Sequence, residues 1–139
     1  MKHVVTGIGE DGTSFLESVT VHDGPIVESG SVGVYEHSSA PDLTRPASGI
    51  PLDFAPEPGT VTWRLIEFWP GRDIPFHHTD SVDITVVVDG TVDFAVDSET
   101  IGLDVGDVVV VNGAGHSWNT EIGCRLLVGM VGGNRPSAE

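Results

Sequence analysis

The 139-residue chain has one cysteine, Cys124, so no disulfide can form within it. Lysine is equally scarce: Lys2 stands alone, and six basic residues face 21 acidic ones, for a formal net charge of −15. So few cations cannot neutralise phosphates, which excludes nucleic acid as a partner and, for the same Coulombic reason, disfavours an anionic membrane. The scattered acids read as solubilising turn and outward-strand positions. No uninterrupted apolar run approaches the roughly 20 residues of a membrane-spanning helix. The start MKHVVTGIGE lacks the basic-then-apolar order of a signal peptide, so a cytoplasmic protein is expected. Long helical periodicity and internal repeats are missing too.

What remains is the texture of an all-β protein of one domain: 39% apolar residues, 18 glycines and 9 prolines. Residues 1 to about 37 contain short β segments, VV, SVTV and SVGVYEH, divided by turns such as Asp11-Gly12 and Asp23-Gly24-Pro25. They read as peripheral strands. The stretch from Ser38 to Gly59 is proline-rich and reads as an ordered irregular connector, with Ile50, Leu52 and Phe54 to bury. Together, residues 1–59 are expected to pack on a barrel core of residues 60–131, with 132–139 as a tail. Within that core, β-rich runs recur about every ten residues, the rhythm of a sandwich or barrel. Asp89-Gly90 is the strongest hairpin signal, since both residues tolerate positive φ.

The chemistry-bearing residues sit beside these turns. Alternation along a strand puts His77, Thr79, Ser81 and Asp83 on one face and His78 and Asp80 on the other. If His116 begins a neighbouring strand on the opposite side of the same cavity, two imidazoles and one carboxylate meet, a set a divalent transition metal accepts. Asp83 lies in an apolar strand, where an unpaired carboxylate is costly, so it needs a metal, a histidine or an arginine. Trp118 shares the face of His116 and either walls the pocket or packs the core. Alternation groups Arg64 with Ile66 and Phe68, apart from Trp63, Leu65, Glu67 and Trp69. Arg64 can grip a substrate carboxylate or close a structural salt bridge. Phe76 is expected inside the barrel, and Cys124 as an inert buried thiol.

Gly71, His77, Asp83 and Gly90 fall on the first motif of the cupin superfamily, GxxxxxHxHxxxExxxxxxG, with Thr79 where the second histidine stands and Asp for Glu. Gly106, Gly113 and His116 fall on the second, GxxxxxPxGxxHxxxN, one residue short and with Thr120 for the asparagine. The wording HHTDSVDITVVVDG with GDVVVVNGAGHSW resembles in particular a branch of small single-domain cupins. The resemblance implies a jelly-roll β-barrel of two antiparallel sheets with the site inside, and covers roughly residues 71 to 120. It implies no single reaction.

Three functions follow as expectations. In the first, His77, Asp83 and His116 hold Fe, Zn, Mn or Ni, with Thr79, Ser81, Arg64 and Trp118 toward a small, partly apolar metabolite. In the second, the same three residues form a metal-free acid/base cluster for dehydration, isomerisation or cyclisation. In the third, the barrel binds a small ligand without altering it. His77 and His116 can also be plain hydrogen-bonded core residues. A homodimer joined through the N-terminal strands is expected, because an open sheet edge needs cover.

Overall fold

Residues 1–23 and 43–136 are described in the computed structural model of the chain. The SVGVYEH run and the first residues of the proline-rich connector lie outside them. The described residues form eleven strands and no helix, and thus no helix long and apolar enough to cross a membrane.

Two sheets face each other. One is built from β1 (Lys2–Ile8), β2 (Ser14–Val21), β4 (Val61–Phe68), β6 (Ser81–Gly90), β9 (Val108–Asn112) and β11 (Cys124–Gly132), in the order β2-β1-β9-β6-β11-β4. The other holds β3 (Ile50–Pro51), β5 (Arg72–His78), β7 (Val92–Ala95), β8 (Thr100–Leu103) and β10 (His116–Thr120), in the order β3-β5-β10-β7-β8. Pairing is antiparallel except for β1 with β9 and β3 with β5. This is the all-β sandwich expected from the strand rhythm and the jelly roll that the family resemblance implies, with two parallel pairings among the antiparallel ones.

The core lies between the sheets. Phe94, Leu103, Val109, Leu126, Met130 and Val4 are fully buried there, each on the inward half of an alternating strand. The run Val108–Asn112 is apolar throughout because β9 is an interior strand with apolar neighbours on both faces. Val109 and Val111 join the core, while Val110 packs with Val5 and Val82 outside it.

The N-terminal residues are less peripheral than their sequence suggests. β1 is an interior strand, paired on one side with β2 and on the other with β9. The sole lysine fixes that join: the Lys2 backbone N–H donates to buried Asp107 at 2.6 Å, and its ammonium donates to the same carboxylate at 3.2 Å. In the connector, Leu43 is buried, whereas Ile50, Leu52 and Phe54 remain largely exposed.

Asp89-Gly90 is not a hairpin. β6 pairs with β9 and β11, and the chain after Gly90 crosses to the other sheet to begin β7. Gly90 has φ +73°, and a Cβ there would lie 2.1 Å from the Gly123 carbonyl oxygen. The glycine is needed for this corner and for the close backbone approach. Gly90→Ala is therefore expected to lower stability by about 2 kcal/mol or more, read as a fall in the urea midpoint with an unchanged slope.

Candidate functional site

Strands β5 and β10 place the two motif histidines side by side. His77 and His116 are register partners across an antiparallel pair, with ring centroids 4.4 Å apart and planes inclined at 56°. They share one sheet, so His116 does not stand across the cavity from His77 as the sequence suggested. Asp83 does, because the chain leaves β5 at His78, turns through Thr79 and Asp80, and enters β6 in the other sheet. Arg135 holds this turn from outside, donating to Asp80 at 2.8 Å and to the Gly113 carbonyl at 2.7 Å.

A bulge selects which histidine looks inward. His116 opposes His77 and Trp118 opposes Ile74, so β5 spends three residues where β10 spends two. Ile74 and His77 therefore both line the cavity, which strict alternation forbids. The extra residue lies at Pro75-Phe76. It turns Phe76 away from the barrel, against Gly49 and Gly115, rather than into the core. His78 faces the Ser48 carbonyl at 3.1 Å and does not line the cavity.

Each cavity imidazole is anchored in the same way. Nδ1 of His77 donates to the Pro75 carbonyl at 2.7 Å, and Nδ1 of His116 to that of Ala114 at 2.8 Å. A carbonyl only accepts, so the proton sits on Nδ1 and each Nε2 keeps its lone pair. Burial holds both imidazoles below their ordinary pKa, His116 down to about 3, with the neighbouring His77 adding to the effect. Both are neutral at pH 7.

Asp83 is buried and bonded to hydroxyls. Ser81 Oγ lies 2.5 Å from its Oδ1, and Thr79 Oγ1 donates to its Oδ2 at 3.3 Å. Ser81 Oγ is also 3.0 Å from Thr79 Oγ1, and its one proton serves one acceptor at a time. Ser81 thus supports the carboxylate from behind and does not reach the cavity wall. Burial raises the Asp83 carboxyl to about 6, outweighing the two hydroxyls and the more distant charge of Arg64.

These polar heads meet in a cavity of about 200 Å³. Its walls are Ile66 and Phe68 of β4, Trp118 of β10, and Leu126, Val128 and Met130 of β11, with Leu52 and Phe54 beside them. Phe94 stacks behind, 4.7 Å from Trp118 and 5.6 Å from His116 between centroids. The β11 residues and Thr85 were not singled out in the sequence. Their signal was the period-two spacing of Leu126, Val128 and Met130, which shows an inward face but not what it encloses.

The donor set tests the metal expectation. Among the described residues no three His, Cys, Asp or Glu side chains form a group that could hold a metal ion. The two imidazoles present free Nε2 atoms, but Asp83, the third expected donor, is engaged by Ser81 and Thr79, and Thr79 supplies only a neutral hydroxyl. His77, Asp83 and His116 share a cavity without forming a three-donor centre.

No family model matches the sequence. A stretch of 62 residues, 44% of this chain, is 40% identical to phomopsin biosynthesis cluster protein C' of Diaporthe leptostromiformis and covers 33% of it. A stretch of 69 residues, 49% of the chain, is 33% identical to the cupin-domain-containing oxidoreductase srdD of Neurospora crassa and covers 35% of that protein. The chain thus spans about a third of the length of these curated relatives. Among solved structures, the DMSP lyase DddQ of Ruegeria pomeroyi superposes with a TM-score of 0.50 at 22% identity, over 53% of this chain and 39% of that one.

The two buried titrations have opposite signs. Asp83 binds its proton more tightly folded than unfolded, so its ionisation opposes folding above about pH 6, and that cost disappears below the ordinary value of 3.8. His116 contributes full stability above 6.5 and loses it as pH falls toward 3. Asp83→Asn is expected to stabilise the fold by about 1 to 3 kcal/mol near pH 8 and to leave it unchanged near pH 4, read from thermal denaturation at both pH values.

Proposed function

The chain has the cupin fold, and from that premise we propose that it is an enzyme moving a proton on a small, largely apolar metabolite, as in isomerisation, dehydration or cyclisation. One observation carries this reading: imidazoles on one sheet and a carboxylate on the other face the same apolar cavity. A molecule between them is touched from both sides by groups that exchange protons.

The environment separates the roles. His77 is the less deeply buried imidazole, and its Nε2 accepts the proton removed from substrate while Nδ1–H stays on the Pro75 carbonyl. His116, kept neutral, accepts a hydrogen bond from substrate and orients it. Asp83, protonated below about pH 6, delivers its proton from the opposite wall, with the Thr79 and Ser81 hydroxyls supporting the carboxylate that remains. Trp118, Phe68 and Leu126 exclude water and so strengthen each of these contacts. The test is incubation in D2O with a panel of small aromatic and terpenoid-type carbonyl and β-hydroxycarbonyl compounds. Deuterium gain or loss of water is expected by mass spectrometry, reduced roughly 100-fold or more in His77→Asn and in Asp83→Asn. Conversion unaffected by either change overturns the reading.

A second reading has one observation in its favour. Imidazoles whose Nδ1 is tied to a carbonyl, leaving Nε2 free, are arranged as metal-binding histidines are. A divalent Fe, Zn, Mn or Ni ion on His77 and His116 would act as a Lewis acid toward a substrate oxygen, with Asp83 released from Ser81. Elemental analysis of protein purified without chelator or affinity tag is expected to find far less than one equivalent of these metals. Stoichiometric metal that is lost in His116→Ala replaces the first reading with the second.

We also propose a homodimer, joined through β4 rather than the N-terminal strands. β4 is a sheet edge whose outward residues Val61, Trp63 and Leu65 are exposed, Trp63 at 73%, with Trp69 beyond them at 74%. The one acid in that row, Glu67, is neutralised by Arg125 at 2.7 Å. Two copies of a strongly acidic chain can meet there without opposing like charges. Light scattering is expected to give twice 14.6 kDa, and Trp63→Glu a monomer. A wild-type monomer at micromolar concentration removes the proposal.

A further inference from the structure

Arg64, like Arg45 and Arg72, closes no salt bridge among the described residues, and it acts on Asp83 only at a distance. Among the described residues, Lys2 pairs with Asp104 and Asp107, Arg125 with Glu67 and Asp89, and Arg135 with Asp80, while Arg64 has no carboxylate within salt-bridge distance. In a chain with 21 acids and six bases, this departs from the salt bridge that composition alone favours.

Its position explains what the charge is free to do. Arg64 lies on the inward half of β4, in line with the cavity residues Ile66 and Phe68 but beside the cavity rather than in its lining. The guanidinium carbon sits 4.2 Å from the centroid of the Phe54 ring. Nη1 donates to the Phe54 carbonyl at 3.2 Å and lies 2.9 Å from Met130 Sδ. Phe54 and Met130 both line the cavity. These contacts occupy one terminal nitrogen and fix the plane of the group. The edge formed by Nε and Nη2 has no partner among the described residues, and that edge takes a carboxylate through two parallel hydrogen bonds.

We propose that the cavity takes a small monocarboxylate, its apolar body among Phe68, Trp118 and Leu126 and its carboxylate on the free edge of Arg64. A single guanidinium balances one negative charge. A phosphate monoester near neutral pH carries closer to two, and the second would face both Asp83 and the net charge of −15. The inference rests on the reading of this cavity as a substrate site and adds the class of substrate.

Benzoate, benzyl alcohol and phenyl phosphate serve as probes, titrated into the full chain by calorimetry, with the fluorescence of cavity Trp118 as a second signal. Benzoate is expected to bind more tightly than the other two. Arg64→Gln is expected to weaken benzoate roughly 10- to 100-fold while leaving benzyl alcohol unchanged, which also shows that the variant is folded, and Arg64→Lys is expected to fall between. Equal binding of benzoate and benzyl alcohol, tighter binding of phenyl phosphate, or benzoate affinity unchanged in Arg64→Gln overturns the carboxylate proposal and leaves the cavity a ligand site. If neither benzoate nor benzyl alcohol binds, the ligand-site reading falls with it.

Discussion

Asp83 has been taken out of water, and much of the surrounding design answers that fact. A carboxylate transferred to an apolar interior without partners costs several kcal/mol even after relaxation. Here Thr79 and Ser81 supply hydroxyl donors, and the group keeps its proton to a higher pH than a solvated acid. The facing imidazoles meet the same constraint differently: each discards its charge and satisfies one nitrogen on its own backbone. The cavity therefore holds three groups able to exchange protons, with both imidazoles uncharged near neutrality.

The architecture converts chain order into this opposition. His77 and Asp83 are six positions apart, yet they project from different sheets because the chain changes layer at Thr79-Asp80. The Pro75-Phe76 bulge resets the parity of β5 so that His77, and not His78, faces the interior. Proline suits the bulge because it has no N–H to leave unpaired, and its carbonyl also fixes the tautomer of the histidine two residues on. One short segment thus settles the direction, protonation and support of a cavity side chain.

The sequence disclosed the fold class and the identities of the residues in the cavity more readily than their mutual arrangement. The motif spacings named His77, Thr79, Asp83 and His116, and alternation separated Arg64 from Trp63 and Leu65, as the exposure of β4 confirms. Alternation reports the face of a strand but not the sheet to which it belongs, so His116 was set opposite His77 instead of beside it. Asp89-Gly90 has the chemistry of a tight turn, yet both residues end β6, paired with Arg125 and Cys124, and the positive φ of Gly90 serves the corner between layers. Whether it joins neighbours or opposed layers depends on long-range pairing with β9 and β11. Alternating apolar residues in the connector imply burial, but Leu52 and Phe54 line the cavity and stay largely exposed, an arrangement a linear pattern does not show.

The lone lysine's attachment to Asp107 has a temporal side. β1 hydrogen-bonds to β9, with His3 opposite Val108, so during synthesis β1 has no neighbour on that side until about a hundred more residues have followed. At roughly 5 to 20 residues per second, that is a wait on the order of 5 to 20 s. Throughout it, the buried valines of β1 are bare to solvent. Closure in the nascent protein is thereby deferred until β9 has emerged, and the hairpin of β1 and β2 is a surface that a holding chaperone would meet in the interval.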